Sequence, residues 1–172
     1  MITTFPKPKG ERGFSLTELV VVLFGGMILL AIAVPALDTT LDQYRLVLAA
    51  QGVTNQLQFA RMKAVSSNES YRVNFPEGTS DYRVETSTGD IVAGPFTLPP
   101  GTVWNSEDGG SGVTFPGRFV VFLPTGSVPA SGNGATGRAK LINQSGVRID
   151  VVVQVGGSVR ATPTYKSATA PF

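Results

Sequence analysis

The sequence predicts an α+β chain. One long N-terminal helix, membrane-spanning over its first half, is expected to pack on an antiparallel β-sheet or small β-sandwich. Three observations predict this. No charged residue occurs from Leu19 to Leu37. From Leu37 to Ala64, apolar residues recur at helical spacing. From Tyr71 onward the apolar period falls to two, in short runs separated by turn residues. One helix followed by many short strands is an α+β arrangement. Four segments are expected: residues 1–13, the apolar run 14–37, an amphipathic continuation 38–66, and a β domain 67–172 with a loose tail from Pro163.

The apolar run is long enough for a bilayer, which takes ~20 such residues. Lys7, Lys9 and Arg12 precede it, which predicts a cytoplasmic N-terminus and an exported C-terminal body. A secretory signal would have a shorter apolar region and a small-residue cut site after it. Here the run leads into Pro35-Ala36-Leu37-Asp38, so it should stay with the protein. Glu18 stands near its start. An ionisable group inside a span costs a few kcal/mol and by default signals function.

Beyond Pro35 the pattern is amphipathic. Leu37, Leu41, Tyr44 and Leu48 form a stripe, which Val53, Leu57, Ala60 and Ala64 continue after a slip near Gly52. This stripe is expected to cover the sheet. Asp38 and Asp42 lie early, and Arg61 and Lys63 late, as the helix dipole favours. The helix should run from about Phe14 to Val65, bent at Pro35 or loosened at Gly25-Gly26, and stop at Ser66-Ser67-Asn68.

Tyr71, Val73 and Phe75 alternate with polar residues, as do Tyr82 and Val84, and a Pro-Glu-Gly-Thr-Ser-Asp turn between them predicts a hairpin. Further strands are expected at Ile91-Val92, Thr102–Trp104, Arg118–Leu123, Arg138–Ile142 and Val159–Thr162. The clearest runs from Val147 to Val155, with the odd-numbered residues on one face. Asn143-Gln144-Ser145-Gly146 should turn into it.

The chain's 172 residues suffice for one domain and an anchor. It has no cysteine and no histidine. The core must therefore hold without disulfides, and the usual transition-metal ligands and Ser-His or Cys-His nucleophile pairs are missing. No enzyme, metal or cofactor is expected. Gly132 to Gly137 fits a Gly-x-Gly-x-x-Gly pattern. That fingerprint needs a preceding strand and a following helix; Pro129 and a strand pattern flank it instead, so a loop is expected. Glu107-Asp108-Gly109-Gly110 could offer oxygens to calcium, but reads better as an exposed turn.

The residues KGERGFSLTELVVVL resemble the amino terminus of type IV prepilins and type II secretion pseudopilins. The resemblance implies a pilin-like fold, cleavage by a prepilin peptidase after Gly13, and N-methylation of Phe14. It implies that Glu18 pairs with the terminal amine of a neighbouring subunit and that Pro35 interrupts the helix. Further on, Phe122-Leu123-Pro124-Thr125-Gly126, the strand from Val147, and Gly156-Gly157-Ser158-Val159-Arg160 resemble the GspH/FimT group of minor pseudopilins. That group often ends in Gly-Arg-x-Arg. Here Gly157-Ser158-Val159-Arg160 keeps only the second arginine, which weakens any inference of DNA binding.

The function implied is that of a structural subunit of a type II secretion pseudopilus or a type IV pilus. It would be a single-pass protein of the bacterial inner membrane with a periplasmic body. Its partners would be other pilins, the peptidase/methyltransferase and the inner membrane. The first alternative is a DNA-contacting minor pilin acting in natural transformation. A membrane-tethered enzyme is the second, and no residue supports it. The charges bear on the choice. Glu69 to Gly110 holds seven acids and two arginines, while Ser111 to Phe172 holds six basic residues against Asp150. Arg138, Lys140, Arg148 and Arg160 are the candidates for docking a subunit or DNA. Formal charge is +2, and the leader to Gly13 accounts for it. Subunit docking is therefore favoured over DNA.

Overall fold

The computed structural model describes residues 15–105, 112–162 and the strand 165–166; from 32 to 39 it describes the helix backbone alone. The chain divides into two compact units, Met1–Asp38 and Thr39–Phe172. Helix α1 (Leu16–Ser67) begins in the first and ends in the second. Its assignment is unbroken at Gly25, Gly26 and Pro35. It stops where Asn68 takes a left-handed φ of 53°, a conformation asparagine tolerates better than most residues.

In the first unit the large apolar side chains of α1 are exposed all round, from Leu16 at 77% to Val20 at 41%. Leu19, Val22, Phe24, Met27 and Leu30 are among them. Among the described residues no helix is long and apolar enough to cross a membrane. The charge-free run continues to Leu37, and the side chains of residues 32–39 lie outside the described ones.

In the second unit α1 buries Leu46, Ala49, Ala50, Val53, Leu57, Ala60 and Ala64. Val53, Leu57, Ala60 and Ala64 are buried as expected, but the earlier half of the expected stripe is corrected. Leu41, Tyr44 and Leu48 are 47%, 60% and 41% exposed. At about 100° per residue, Tyr44 and Val53 lie about 180° apart on the helix. Periodicity alone cannot say which of two apolar faces meets the sheet. The face that does carries Leu46, Val53 and Leu57 among alanines. Tyr82 Oη lies 3.0 Å from where a side chain at Gly52 would begin, and this is the physical content of the slip there.

Two antiparallel sheets complete the second unit. The first has the order β3 (Ile91–Thr97), β2 (Asp81–Thr86), β1 (Tyr71–Asn74), β5 (Phe119–Phe122). The second has β4 (Thr102–Trp104), β6 (Gly137–Asn143), β7 (Val147–Val153) and β8 (Val159–Ala161), with β9 (Tyr165–Lys166) also on β7. A single 3-10 turn, Pro116–Arg118, leads into β5. The expected hairpin pairs Val73 with Val84. Val73, Phe75, Tyr82, Val84, Val120 and Phe122 enter the core from the first sheet, and Trp104, Ala139, Leu141, Ile149, Val151 and Val153 from the second. Phe75 stands at its centre, edge-on to Trp104 at 5.4 Å and stacked on Phe115 at 5.6 Å.

Three expectations need correction. Strand β3 extends to Thr97 and is exposed along most of its length. Strand β7 ends at Val153, and Val155 is 50% exposed, its carbonyl accepting from the Val128 amide at 2.8 Å. Tyr165 and Lys166 are paired with Arg148 and Val147, where a loose tail was expected; the other residues beyond Thr162 lie outside the described ones.

The outer side of the first sheet holds a buried carboxylate. Glu85 is 1% exposed and faces Arg72 across the β1–β2 pair. Arg72 Nε and Arg83 Nε donate to it at 2.5 Å each, and Asn74 Nδ2 at 3.1 Å. Burial pushes its pKa up. The hydrogen bonds from Arg83, Asn74 and Arg72, with the charge of Arg72, outweigh that and hold it below the ordinary value. A lowered pKa means that the unfolded chain binds the proton more readily. The stabilisation is thus complete above about pH 4.3, the unfolded value, and fades as pH falls through the folded value. Glu85→Gln should cost about 1–3 kcal/mol at neutral pH, discounted because both arginines are partly exposed. It should also flatten the acid limb of stability; chemical denaturation from pH 7 to pH 3 reads both effects.

Candidate assembly and docking surfaces

Glu18 lies in the first turn of α1, exposed, beside Ser15 and Thr17, whose hydroxyls are 2.7 Å apart. Gly13 and Phe14 lie outside the described residues, as does the side chain of Pro35. Among the described side chains, the first unit thus presents one carboxylate at the start of an apolar, uncovered helix.

Two loops that are far apart in sequence meet at the other end of α1. Leu123 and Gly126 close a turn, with the Gly126 amide donating to the Leu123 carbonyl at 2.8 Å. Gln154 and Gly157 close another in the same way at 2.8 Å. The two touch so closely that a Cβ on Gly157, at φ +72°, would lie 1.9 Å from the Gly126 carbonyl oxygen. Arg61 Nε donates to that oxygen at 2.9 Å, and its Nη2 to the Gly156 carbonyl at 3.4 Å. The sequence reading gave Arg61 only a helix-dipole role. Its identity as a planar multi-donor group was the one available signal, since a guanidinium can serve two carbonyls at once.

The four basic candidates share one face of the second sheet. Across β6, β7 and β8, Arg138 pairs with Val152 and Val152 with Arg160; Lys140 pairs with Asp150, and Ile142 with Arg148. Paired residues project to the same side, opposite Ala139, Leu141, Ile149 and Val151 in the core. Their accessibility differs. Arg138 and Arg160 are exposed and Lys140 half-buried, but Arg148 is 7% and Asp150 4% exposed. The alternating pattern of β7 hid this. Arg138 reaches Asp150 at 3.6 Å. Beside Arg138 lies an open hollow of about 420 Å³, walled by Val152 to Val155, Thr114 and Thr136.

Gly132 to Thr136 forms the loop before β6, with no helix after it. Gly134 is there because a Cβ would meet Val121 Cγ2 at 2.5 Å. The Glu107–Gly110 turn lies outside the described residues. Among the described residues no group of three or more acidic side chains could hold a metal ion.

The loop junction makes a sharp prediction. Gly157→Ala adds a methyl group where a backbone oxygen already lies, at a φ that alanine disfavours. It should cost more than Arg61→Leu, which removes two hydrogen bonds worth about 1 kcal/mol each and leaves the carbonyls near water. Thermal melts of both variants test the order.

Comparison with known proteins agrees with this architecture. The family model of the type II transport protein GspH matches residues 49–157. Among solved structures, the type IV minor pilin FimU of Pseudomonas aeruginosa superposes with a TM-score of 0.53 at 14% identity, over 70% of this chain and 90% of that one. The minor pseudopilin EpsH of the Vibrio cholerae type 2 secretion system gives 0.49 at 13% identity, over 69% and 96%. No curated protein matches the sequence significantly. At such identities the structural likeness is one of fold. The family match spans more than half of the chain, from α1 through β7 to the Gly126–Gly157 junction, and on it the chain belongs to the type II transport protein GspH family.

Proposed function

We propose that this chain is a minor pilin or pseudopilin, a structural subunit of a secretion pseudopilus or type IV pilus, assembled through α1. The uncovered helix carries this reading. Its apolar side chains are exposed all round in the first unit, and Leu41, Tyr44 and Leu48 are exposed in the second. Apolar surface of that extent calls for a partner. Lipid before assembly and neighbouring helices after it would both serve. The type II transport family supports the same reading, and no comparison points specifically to DNA.

In this reading residues 1–13 are the leader, cut after Gly13 by a prepilin peptidase, and Phe14 becomes the methylated terminus. Residues 14–37 would cross the inner membrane once, with the basic flank in the cytoplasm and the β domain in the periplasm. Residues 38–66 would continue the helix over that domain. Glu18 would pair with the terminal amine of a neighbouring subunit. Each charge answers the cost of the other in apolar surroundings, a few kcal/mol if left unpaired. Pro35 would sit within the assembled helix layer. No catalytic step is assigned to the chain.

Mass spectrometry of the mature protein should find a methylated Phe14 terminus, and replacing Gly13 with a bulky residue should leave an uncut precursor. A mature chain retaining residues 1–13 would overturn the processing assignment. Glu18→Ala should still insert, because the run becomes more apolar, but should enter filaments poorly. Complementation at the wild-type level would remove its pairing role.

A further inference from the structure

We propose that the outward face of the second sheet, centred on Arg138, Val152 and Arg160, docks a carboxylate-bearing surface of a neighbouring filament subunit. The proposal rests on the filament reading above and names the surface that would set a subunit's place.

Three observations carry it. The first is charge. Among the described residues, Arg138, Lys140, Arg148 and Arg160 share this face with one carboxylate, Asp150, which is buried and already engaged by Arg138. The second is how the other arginines are used. Arg72 and Arg83 bind Glu85, Arg61 binds Gly126 and Gly156, Arg118 binds the Phe75 carbonyl, and Arg45 binds Asp42. Arg160 is exposed, and among the described residues no ion pair holds it. The third is composition. Arg138 and Arg160 flank Val152, and on the same face Val103 is 51% exposed beside Ile142. Arginine set among apolar side chains is typical of interface cores, whereas purely solvated faces favour lysine and glutamate.

A carboxylate partner fits better than a phosphate backbone. Arg138 and Arg160 are two strands apart, about 10 Å between Cα atoms. Each planar fork can grip one carboxylate bidentately. Arg148 is too buried to add to a phosphate-tracking stripe.

The test uses the full chain in cells that build filaments, with a photo-crosslinking amino acid in place of Val152. A second variant carries it in place of Tyr44, to report helix assembly alone. The expected result is a crosslink from position 152 to another subunit, mapped to a peptide containing Asp or Glu. It should be lost in Arg138→Glu/Arg160→Glu and regained when the mapped acids are changed to arginine. If position 44 captures a subunit while position 152 captures nothing, a peptide without acids, or nuclease-sensitive nucleic acid, the docking proposal is overturned and the filament reading stands. If neither position captures a filament subunit, the filament reading fails and the docking proposal falls with it.

Discussion

The structure depends on the shared core between the buried face of α1 and the side chains of the strands that it covers. Ala49, Ala50, Gly52, Ala60 and Ala64 form a low strip along the buried side of the helix, between Leu46, Val53 and Leu57. Small residues bring little apolar area themselves. They lower the helix surface so that large strand residues can lie against it. Tyr82, Phe75 and Trp104 supply that bulk and pack on one another. Without cysteine this fit carries the domain, since burial of a Leu- or Val-sized side chain yields about 1.5–3 kcal/mol and no covalent link adds to it. Leu41, Tyr44, Leu48, Met62 and Val65 of α1 are then left facing outward, beside the buried Leu46, Val53 and Leu57.

The far end of the domain is fixed by polar contacts. Two glycine turns meet back to back, and their carbonyls point at Arg61. The helix thereby fixes where both sheets end, since one turn follows β5 and the other follows β7. This explains why glycines recur in both segments. The turns need left-handed φ, and the contact between them leaves no room for a side chain.

Much of this was legible in the sequence. Alternation placed the strands, since each half-buried strand shows its period in side chains alone. The helix stop was legible too, because Ser66-Ser67-Asn68 carries local turn chemistry. The buried stripe of α1 was legible from Val53 to Ala64 and not before it. Leu41, Tyr44 and Leu48 are better core formers by size than Ala49 and Ala50, and the choice was made by the strands opposite. The burial of Glu85, Arg148 and Asp150 was also hidden. Each occupies an outward position in its strand, and cross-strand neighbours decide whether such a position sees water. The pairing of Tyr165 with Arg148 could not be foreseen from a two-residue strand, which has no period to read.

The two sheets handle charge in opposite ways, and this bears on assembly. The first closes its charges on Glu85, so its outer face is internally satisfied. The second holds one carboxylate among four cations. On the filament reading these surfaces divide the work. Apolar helix contacts supply most of the association energy, but are tolerant of sliding, because one aliphatic side chain replaces another at little cost. Charge pairs contribute less net energy, yet penalise wrong partners by several kcal/mol when like charges meet. A subunit that must occupy one place among similar helices needs the second kind of contact. On the docking proposal it would lie on the second sheet, whereas the helix face would be shared by every subunit.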